Sequence, residues 1–171
     1  MNFSFSKFTI DIDVEKTQAY YKSANFVSAD CSCSGCRNYE HAIDLLPKEV
    51  ISFFSQLGIE MKKAREVYVN YTNADDTVFY GGFYHICGSI VEGESAWVSN
   101  TPNSKHWVDE KAYYITNYFM VSVKDDCDLL EDSFPLPAIQ LELSVNMPWV
   151  LAEKNDYEKN AERKKKGDEQ K

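Results

Sequence analysis

Two segments near the ends of the chain alternate apolar and polar residues. Phe8–Val14 and Ile139–Val145 both alternate strictly, which is typical of a strand with one buried face and one solvated face. Three further runs, Glu66–Thr72, Val78–Val91 and Tyr113–Val123, are rich in β-branched and aromatic residues. The pattern therefore predicts an antiparallel sheet of about five strands, since short links without helices favour antiparallel neighbours.

Between the predicted strands Phe8–Val14 and Glu66–Thr72, the apolar residues recur at helical spacing. Apolar positions recur three and four residues apart over Arg37–Leu46. Pro47 then suits the first turn of a second helix, which ends at Gly58. The resulting prediction is an α+β fold, in which a helical hairpin packs on the sheet.

Length and composition favour one domain. The chain has 171 residues, of which 44% are hydrophobic, enough for one core and too few for two ordinary domains. We predict a single α+β domain over residues 1–152, with the cysteine cluster and helical hairpin at 31–58. Residues 153–171 contain one aromatic residue and no Ile, Leu, Val or Phe, so we expect a charged tail that is disordered or helical.

The charge of the chain narrows the choice of partners. Its formal net charge is −9, which opposes binding to phosphate backbones and argues against nucleic acid. An acidic surface suits a basic protein partner or simply keeps the protein soluble. No apolar run approaches the roughly 18 residues of a membrane span, and no secretory signal pattern opens the chain. We therefore expect a cytoplasmic protein with no membrane contact.

The candidate chemistry lies in a cluster of cysteines. Cys31, Cys33 and Cys36 fall within six residues, out of five cysteines in all. In a reducing cytosol such a cluster is more typical of metal binding or redox chemistry than of structural disulfides. The C-x2-C spacing allows two thiolates of one tight turn to reach a zinc ion at about 2.3 Å, and Gly35 gives the turn its backbone freedom.

A tetrahedral zinc site needs a fourth ligand from elsewhere in the chain. His85 and Cys87 are two residues apart in the predicted strand Val78–Val91, so their side chains should share one face. If that face packs on the helical hairpin, either residue completes the site. The predicted metal ligands are Cys31, Cys33 and Cys36 with Cys87 or His85, and the predicted cofactor is zinc.

Two other interpretations of the cysteines remain open. Cys33-Ser34-Gly35-Cys36 lies just before a helix, where backbone N–H groups and the helix dipole favour a thiolate, as in C-x-x-C oxidoreductases. Against this, the βαβ unit of a thioredoxin-like protein is not apparent, and Cys31 is a third thiol that such chemistry does not need. The third interpretation is that the cysteines pack under the hairpin and bind nothing.

The motif around the cysteines also resembles a group of small bacterial proteins. The similar elements are Cys31-x-Cys33-x2-Cys36-x-Asn38-Tyr39, Leu46-Pro-Lys-Glu-Val50 and Tyr80-Gly-Gly-Phe-Tyr-His85. In that group a C-x-C-x2-C-x-N-[FY] element precedes a helical hairpin and a Y-x-G-x-Y-H-like strand. The resemblance covers residues 26–92 and implies a bacterial source and a recurring module, with no particular reaction.

The function that we predict from these observations is binding. We expect a non-catalytic bacterial cytosolic protein whose structural zinc site supports recognition of a protein partner, in a regulatory or immunity-like role. The alternative is a thiol redox protein, with Cys33 as the attacking thiolate and Cys36 as the resolving thiol.

Overall fold

The computed structural model describes residues 1–101 and 104–160, with the side chains of these residues except that of Asp30. The fold is α+β, which confirms the predicted class, and every pairing between its named strands is antiparallel. The strands are β1 (Asn2–Phe5), β2 (Phe8–Ile12), β3 (Glu66–Thr72), β4 (Val78–Glu92), β5 (Trp97–Thr101), β6 (Ser104–Trp107), β7 (Tyr113–Thr116), β8 (Phe119–Lys124) and β9 (Ala138–Met147). The helices are α1 (Val14–Ser23), α2 (Val27–Asp30), α3 (Ser34–Ala42) and α4 (Lys48–Gln56).

Seven strands form one sheet around the long strand β4. The order is β1-β2-β4-β9-β8-β7, and β3 also pairs with β4. One edge of β4 pairs first with β3 and then, from Gly88 onward, with β2, whereas its other edge pairs with β9 over Val78–Cys87. Strands β5 and β6 form a separate hairpin. β4 is therefore the element through which both halves of the sheet are joined.

The strand count is larger than the predicted five. The run Glu66–Thr72 is a strand with the predicted bounds, and Val78–Val91 is extended by one residue. The run Tyr113–Val123 is instead two strands, β7 and β8, which fold back on each other. Strands β1, β5 and β6 are short, with four or five residues each, and were not predicted. β1 alternates polar and apolar residues over only four positions, and β5 and β6 do not alternate clearly.

Helix α1 occupies a stretch for which the sequence predicted no element. Asp13 caps it by accepting a hydrogen bond from the backbone N–H of Lys16 at 3.0 Å, the ordinary role of an N-cap aspartate. The helix lies against the part of β4 between the ends of β3 and β2. There the Thr17 hydroxyl accepts from the backbone N–H of Cys87 at 3.0 Å, so side chains of α1 replace a missing neighbour strand.

The helical hairpin of α3 and α4 covers one face of the sheet. The Tyr39 and Tyr84 hydroxyl oxygens lie 2.6 Å apart, and the Phe54 ring packs edge-on against Tyr84 and Phe119. All four side chains are fully buried. This face carries the main hydrophobic core, and its Tyr80 hydroxyl donates to the carbonyl of Gly35 at the start of α3.

The other face of the sheet is buried too, which corrects the expectation of a solvated face on the last strand. Gln140, Glu142 and Ser144 of β9 are 0%, 4% and 5% exposed. The segment before β9 contacts Gln140, whose amide oxygen accepts the Asp128 N–H at 2.6 Å. Gln140 and Glu142 are paired inside: the Gln140 amide donates to Glu142 at 2.6 Å, and Lys124 Nζ lies 3.5 Å from the same carboxylate. The Ser144 hydroxyl is buried without a hydrogen-bond partner among the described residues. The alternation of apolar and polar residues predicted the strand correctly, but it did not predict that other segments bury the polar face of the strand.

The first residues of the predicted tail lie against the domain. Thr72 of β3 donates its backbone N–H to the Glu158 carbonyl at 2.9 Å and its hydroxyl to the Tyr157 carbonyl at 3.2 Å. The rest of the predicted tail, residues 161–171, lies outside the described part of the chain. Among the described residues no helix has the length and apolar character needed to cross a membrane.

Candidate metal centre

The cysteine cluster forms the turn that opens helix α3. Cys33 is the N-cap residue, and its sulfur accepts the backbone N–H of Cys36 at 3.4 Å. A thiol thereby takes the place that a serine or aspartate side chain normally has at a helix start. The turn brings the Sγ atoms of Cys31, Cys33 and Cys36 within 4.8 Å of one another. The predicted clustering of these three cysteines is confirmed.

The three thiols differ in burial. Cys31 and Cys33 are exposed, whereas Cys36 is only 3% exposed. Cys36 points from the first turn of α3 into the core, and the other two sit on the loop that precedes the helix. The cluster therefore lies at the protein surface, with Cys36 as its one buried member.

The position at the helix start makes Cys33 acidic. Partial burial acts to raise the pKa of Cys33, but hydrogen bonds outweigh it: the Cys36 backbone N–H, the neighbouring thiols of Cys31 and Cys36, and the Tyr157 hydroxyl together lower the pKa from 9.0 to about 7. Half of the Cys33 side chains are then thiolates near neutral pH. This is the protonation state that binds metals and attacks disulfides.

Cys36 has the opposite character. Burial is the largest cause that raises its pKa strongly, and its hydrogen bond to the Cys33 sulfur and the charge of that neighbour add to the effect. Of the two neighbouring thiols, Cys33 therefore loses its proton first, and Cys36 remains a protonated thiol beside the Cys33 thiolate. A positive charge close by, such as a bound metal ion, or loss of the negative charge on Cys33 would favour deprotonation of Cys36.

Tyr157 is a site residue that the sequence interpretation missed. Its hydroxyl oxygen accepts the backbone N–H of Gly35 at 3.1 Å, and the same hydroxyl contributes to the low pKa of Cys33. Burial is the largest cause that raises the pKa of Tyr157 itself, so it remains a donor at neutral pH. The available signal was that Tyr157 is the one aromatic residue of the predicted tail.

Gly35 has a second reason to be glycine. A Cβ atom at this position would lie 2.6 Å from the Tyr157 hydroxyl oxygen and 2.9 Å from a methyl carbon of Val69. The close approach of Tyr157 to the start of α3 thus depends on the missing side chain, in addition to the flexibility that the sequence suggested.

Arg37 ties the cysteine loop to the C-terminal segment. Its guanidinium donates to the Ser32 carbonyl oxygen, which lies between two of the cysteines, and to the Glu153 carboxylate at 2.5 Å. Arg37 therefore joins the cysteine loop to the C-terminal segment, with its charge paired to Glu153.

Asn38 fastens the same segment from the buried side of α3. This side chain is fully buried; its amide donates to the Pro148 carbonyl and the Tyr80 hydroxyl at 3.0 Å each, and its oxygen accepts the Val150 N–H at 2.7 Å. The Tyr80 hydroxyl in turn donates to the Gly35 carbonyl at 3.0 Å. The cysteine turn is consequently held by strand β4 on one side and by residues 148–157 on the other.

His85 and Cys87, which the sequence suggested as fourth ligands, lie on another part of the protein. Side chains alternate along β4: Tyr84 faces α3 and α4, whereas the His85 ring packs on Phe134, with 5.5 Å between ring centroids, and its Nε2 donates to the Asp128 carbonyl at 3.0 Å. Burial lowers the pKa of His85 and raises that of Cys87. Within the described residues, the group of ligand atoms around the cluster contains only the three cysteines.

The spacing of the thiols fits a single metal ion. Four sulfurs at about 2.3 Å from a tetrahedral zinc ion lie about 3.8 Å from one another. The observed separations, all within 4.8 Å, need a contraction of at most about 1 Å, which rotation of the exposed Cys31 and Cys33 side chains supplies. The three residues present thus provide three soft donors for Zn²⁺ or another thiophilic ion.

We compared the chain with protein-family models, with curated proteins and with solved structures, and none of the three comparisons gives a match.

Proposed function

We propose that Cys31, Cys33 and Cys36 bind one Zn²⁺ ion, and that this ion has a structural role in a non-catalytic binding protein. The observation that carries the proposal is the approach of the three Sγ atoms to within 4.8 Å at the start of α3. The ion would link the loop before α3 to the helix itself. Because α3 also contacts β4 and residues 148–157, an ion there stabilises the junction of three segments.

Zinc binding requires that all three sulfurs lose their protons. Cys33, with its pKa of about 7, is half-ionised at neutral pH and provides the first anchor. The positive ion then lowers the pKa of the neighbouring thiols, including that of the buried Cys36. Metal binding should therefore release protons and weaken as the pH falls, most steeply below about 7, where Cys33 is protonated as well.

The test is metal analysis of protein that was purified without a metal-affinity column. Native mass spectrometry should find about one zinc per chain, and Cys31→Ser, Cys33→Ser and Cys36→Ser should each lose it and lower the melting temperature. Cys127→Ser is the matched control, because Cys127 is a free cysteine in a different segment. A metal-free wild type, or equal zinc loss in the control, would contradict the proposal.

For the biological role we propose recognition of a basic protein, in a regulatory or immunity-like function in a bacterial cytoplasm. The net charge of −9 supports this choice over nucleic acid, since like charges repel phosphate backbones. Affinity purification followed by calorimetry with the purified candidate tests it. Binding should weaken with rising salt, and binding to an acidic protein or to RNA instead would contradict it.

A thiol redox function is the second candidate, and the opposite pKa shifts of Cys33 and Cys36 favour it. In this reaction the Cys33 thiolate attacks one sulfur of a substrate disulfide, and the other sulfur leaves as a thiolate. In the mixed disulfide Cys33 no longer carries a charge, so Cys36 gives its proton to the departed substrate thiolate and attacks Cys33 Sγ, which releases the second substrate thiolate. The substrate gains two electrons, the chain keeps a Cys33–Cys36 disulfide, and a small thiol reductant resets it.

Equilibration of the metal-free protein with glutathione buffers tests the redox candidate. Mass spectrometry should show reversible loss of two hydrogen atoms in the wild type and in Cys31→Ser, and no such loss in Cys36→Ser. Formation of a Cys31–Cys33 disulfide, or glutathione adducts without an internal disulfide, would contradict the assigned roles of Cys33 and Cys36.

A further inference from the structure

We infer that a metal ion at the cysteine cluster keeps one coordination position open to solvent, and that a thiolate from outside the chain fills this position. The inference rests on the proposed function, because it requires that the three cysteines bind a metal. It goes further by assigning the fourth ligand to another molecule, which turns a closed structural site into a binding site.

The first support is the number and source of the ligands. A tetrahedral ion needs four donors, and the cluster provides three, all from the single turn Cys31–Cys36. No other described histidine, cysteine, aspartate or glutamate joins the group. His85 and Cys87 are both buried on the opposite face of β4, so they cannot reach the ion without unfolding the strand.

The second support is the direction in which the site opens. Cys36 is buried and lies at the base of the cluster, whereas Cys31 and Cys33 are exposed. An ion bound to all three sulfurs therefore has protein on the side of Cys36 and solvent on the side of the other two. Zinc sites with three protein ligands keep an exchangeable position of this kind, in contrast to closed structural sites.

The surrounding polar side chains are already bonded to other partners, and the start of α3 favours an anionic ligand. The Tyr157 hydroxyl accepts from Gly35 and hydrogen bonds to Cys33, and Arg37 binds the Ser32 carbonyl and Glu153. Neither side chain belongs to the group of ligand atoms, and the N-terminus of the nine-residue α3 reduces the cost of a fourth negative sulfur. A set of three thiolates also selects soft ions, which prefer a soft fourth ligand.

The exchange that we infer involves no electron transfer. A water molecule leaves the ion, a thiol gives its proton to the buffer, and the resulting thiolate forms the fourth metal–sulfur bond. The thiolate has two sources with the same chemistry: a low-molecular-weight thiol or an exposed cysteine of a protein partner. The experiment below separates them.

Cobalt provides a direct readout of the fourth ligand. The protein is loaded with one equivalent of Co²⁺ in place of zinc and titrated with 2-mercaptoethanol in one arm and with a single-cysteine peptide in another. We expect a saturable change in the visible spectrum, with the sulfur-to-cobalt charge-transfer intensity rising by roughly a third as three Co–S bonds become four. Native mass spectrometry should show chain, cobalt and one thiol together, which distinguishes coordination from extraction of the metal.

Saturation in both arms supports access for a protein cysteine, and saturation with 2-mercaptoethanol alone supports a small-thiol ligand. An unchanged spectrum in both arms overturns the inference, because it indicates a site that is already complete. Failure to bind cobalt at all, or cobalt binding that survives Cys31→Ser and Cys33→Ser, overturns the proposed function instead. The two failures are thus distinguishable.

Three variants identify an internal fourth ligand if one exists. His85→Gln and Cys87→Ser should leave the cobalt spectrum and its response to thiols unchanged. Asp30→Asn tests the carboxylate that precedes Cys31 in the sequence. If added thiol leaves the cobalt spectrum of the wild type unchanged but alters that of one of these variants, the side chain replaced in that variant is the fourth ligand, and the inference is wrong.

Discussion

The hydroxyl oxygen of Tyr157 lies 3.1 Å from the backbone nitrogen of Gly35 and accepts its hydrogen bond, although 122 residues separate the two along the chain. Through this contact the C-terminal segment reaches the first turn of α3, where the amide groups also face the sulfur of Cys33. The same hydroxyl lowers the pKa of Cys33. The chemistry of the cysteine cluster therefore depends on a residue far from it in sequence.

We predict that Tyr157→Phe raises the pKa of Cys33 above its value of about 7. The variant keeps the ring and removes only the hydroxyl, so one hydrogen bond to the thiolate is lost. A hydrogen bond to a charged group contributes about 1.5 kcal/mol, close to one pKa unit, and solvent at the exposed Cys33 should reduce the rise to roughly half a unit. Thiolate absorbance measured against pH, in the metal-free reduced protein, gives the value.

Tyr71→Phe is the matched control for this measurement, because Tyr71 is a half-buried tyrosine of β3 whose ring packs on Phe79. It should leave the titration unchanged. An unaltered Cys33 titration in Tyr157→Phe would show that the helix start alone sets the acidity of this thiol.

The low pKa of Cys33 also predicts how stability depends on pH. Its folded-state pKa of about 7 lies below its ordinary value of 9.0, so between these values the folded chain binds fewer protons than the unfolded chain. Stability from this group is present above pH 9 and is lost as the pH falls through 7. In metal-free reduced protein, the urea midpoint should therefore rise from pH 7 to pH 9 by more in the wild type than in Cys33→Ser. Equal rises in the two proteins would contradict the assignment.

The sequence predicted the cysteine cluster because the three residues are close neighbours in one turn, and a turn of that length brings their sulfurs together. It did not predict the placement of His85 and Cys87 relative to the cluster. Their shared face followed from the period of a strand, but which face of β4 receives the helical hairpin depends on Tyr80 and Tyr84. The hydrogen bonds of these tyrosines to α3 residues became visible only in three dimensions.

The elements that were predicted best have either a clear apolar period or a long run of β-branched and aromatic residues. The helical hairpin has the first pattern, and β4, which is buried on both faces, has the second. Helix α1 was missed because its buried residues include Thr17 and Tyr21, whose polar groups bind the backbone of β4 and which do not form an apolar stripe. The polar face of β9 was misjudged for a related reason: Glu142 is buried with Gln140 and Lys124 as internal partners.

We predict that Asn38→Ala destabilises the protein by about 3 kcal/mol and loosens residues 148–157. The fully buried Asn38 bonds to the Pro148 carbonyl and the Val150 N–H, and each buried group left unpaired costs about 1–3 kcal/mol. Urea unfolding gives the stability, and faster limited proteolysis after Trp149 or Tyr157 reports the loosened segment. Asn25→Ala is the control, since Asn25 is exposed and its removal should change neither measurement.

The last prediction concerns the gap in the edge of β4 between β3 and β2. The Tyr21 hydroxyl donates to the His85 carbonyl at 3.0 Å and accepts the His85 N–H at 3.1 Å, so one side chain satisfies both backbone groups of that residue. Tyr21 is 2% exposed, and burial raises its pKa so strongly that it stays protonated throughout the neutral range. Tyr21→Phe keeps the ring but leaves a buried donor and a buried acceptor without partners, which should lower the free energy of unfolding by about 2–4 kcal/mol. Urea denaturation tests the loss, and hydrogen exchange of the His85 amide should become faster in the variant. Tyr71→Phe again serves as the control. A Tyr21→Phe protein of unchanged stability and unchanged exchange at His85 would show that β4 needs no cover in this gap.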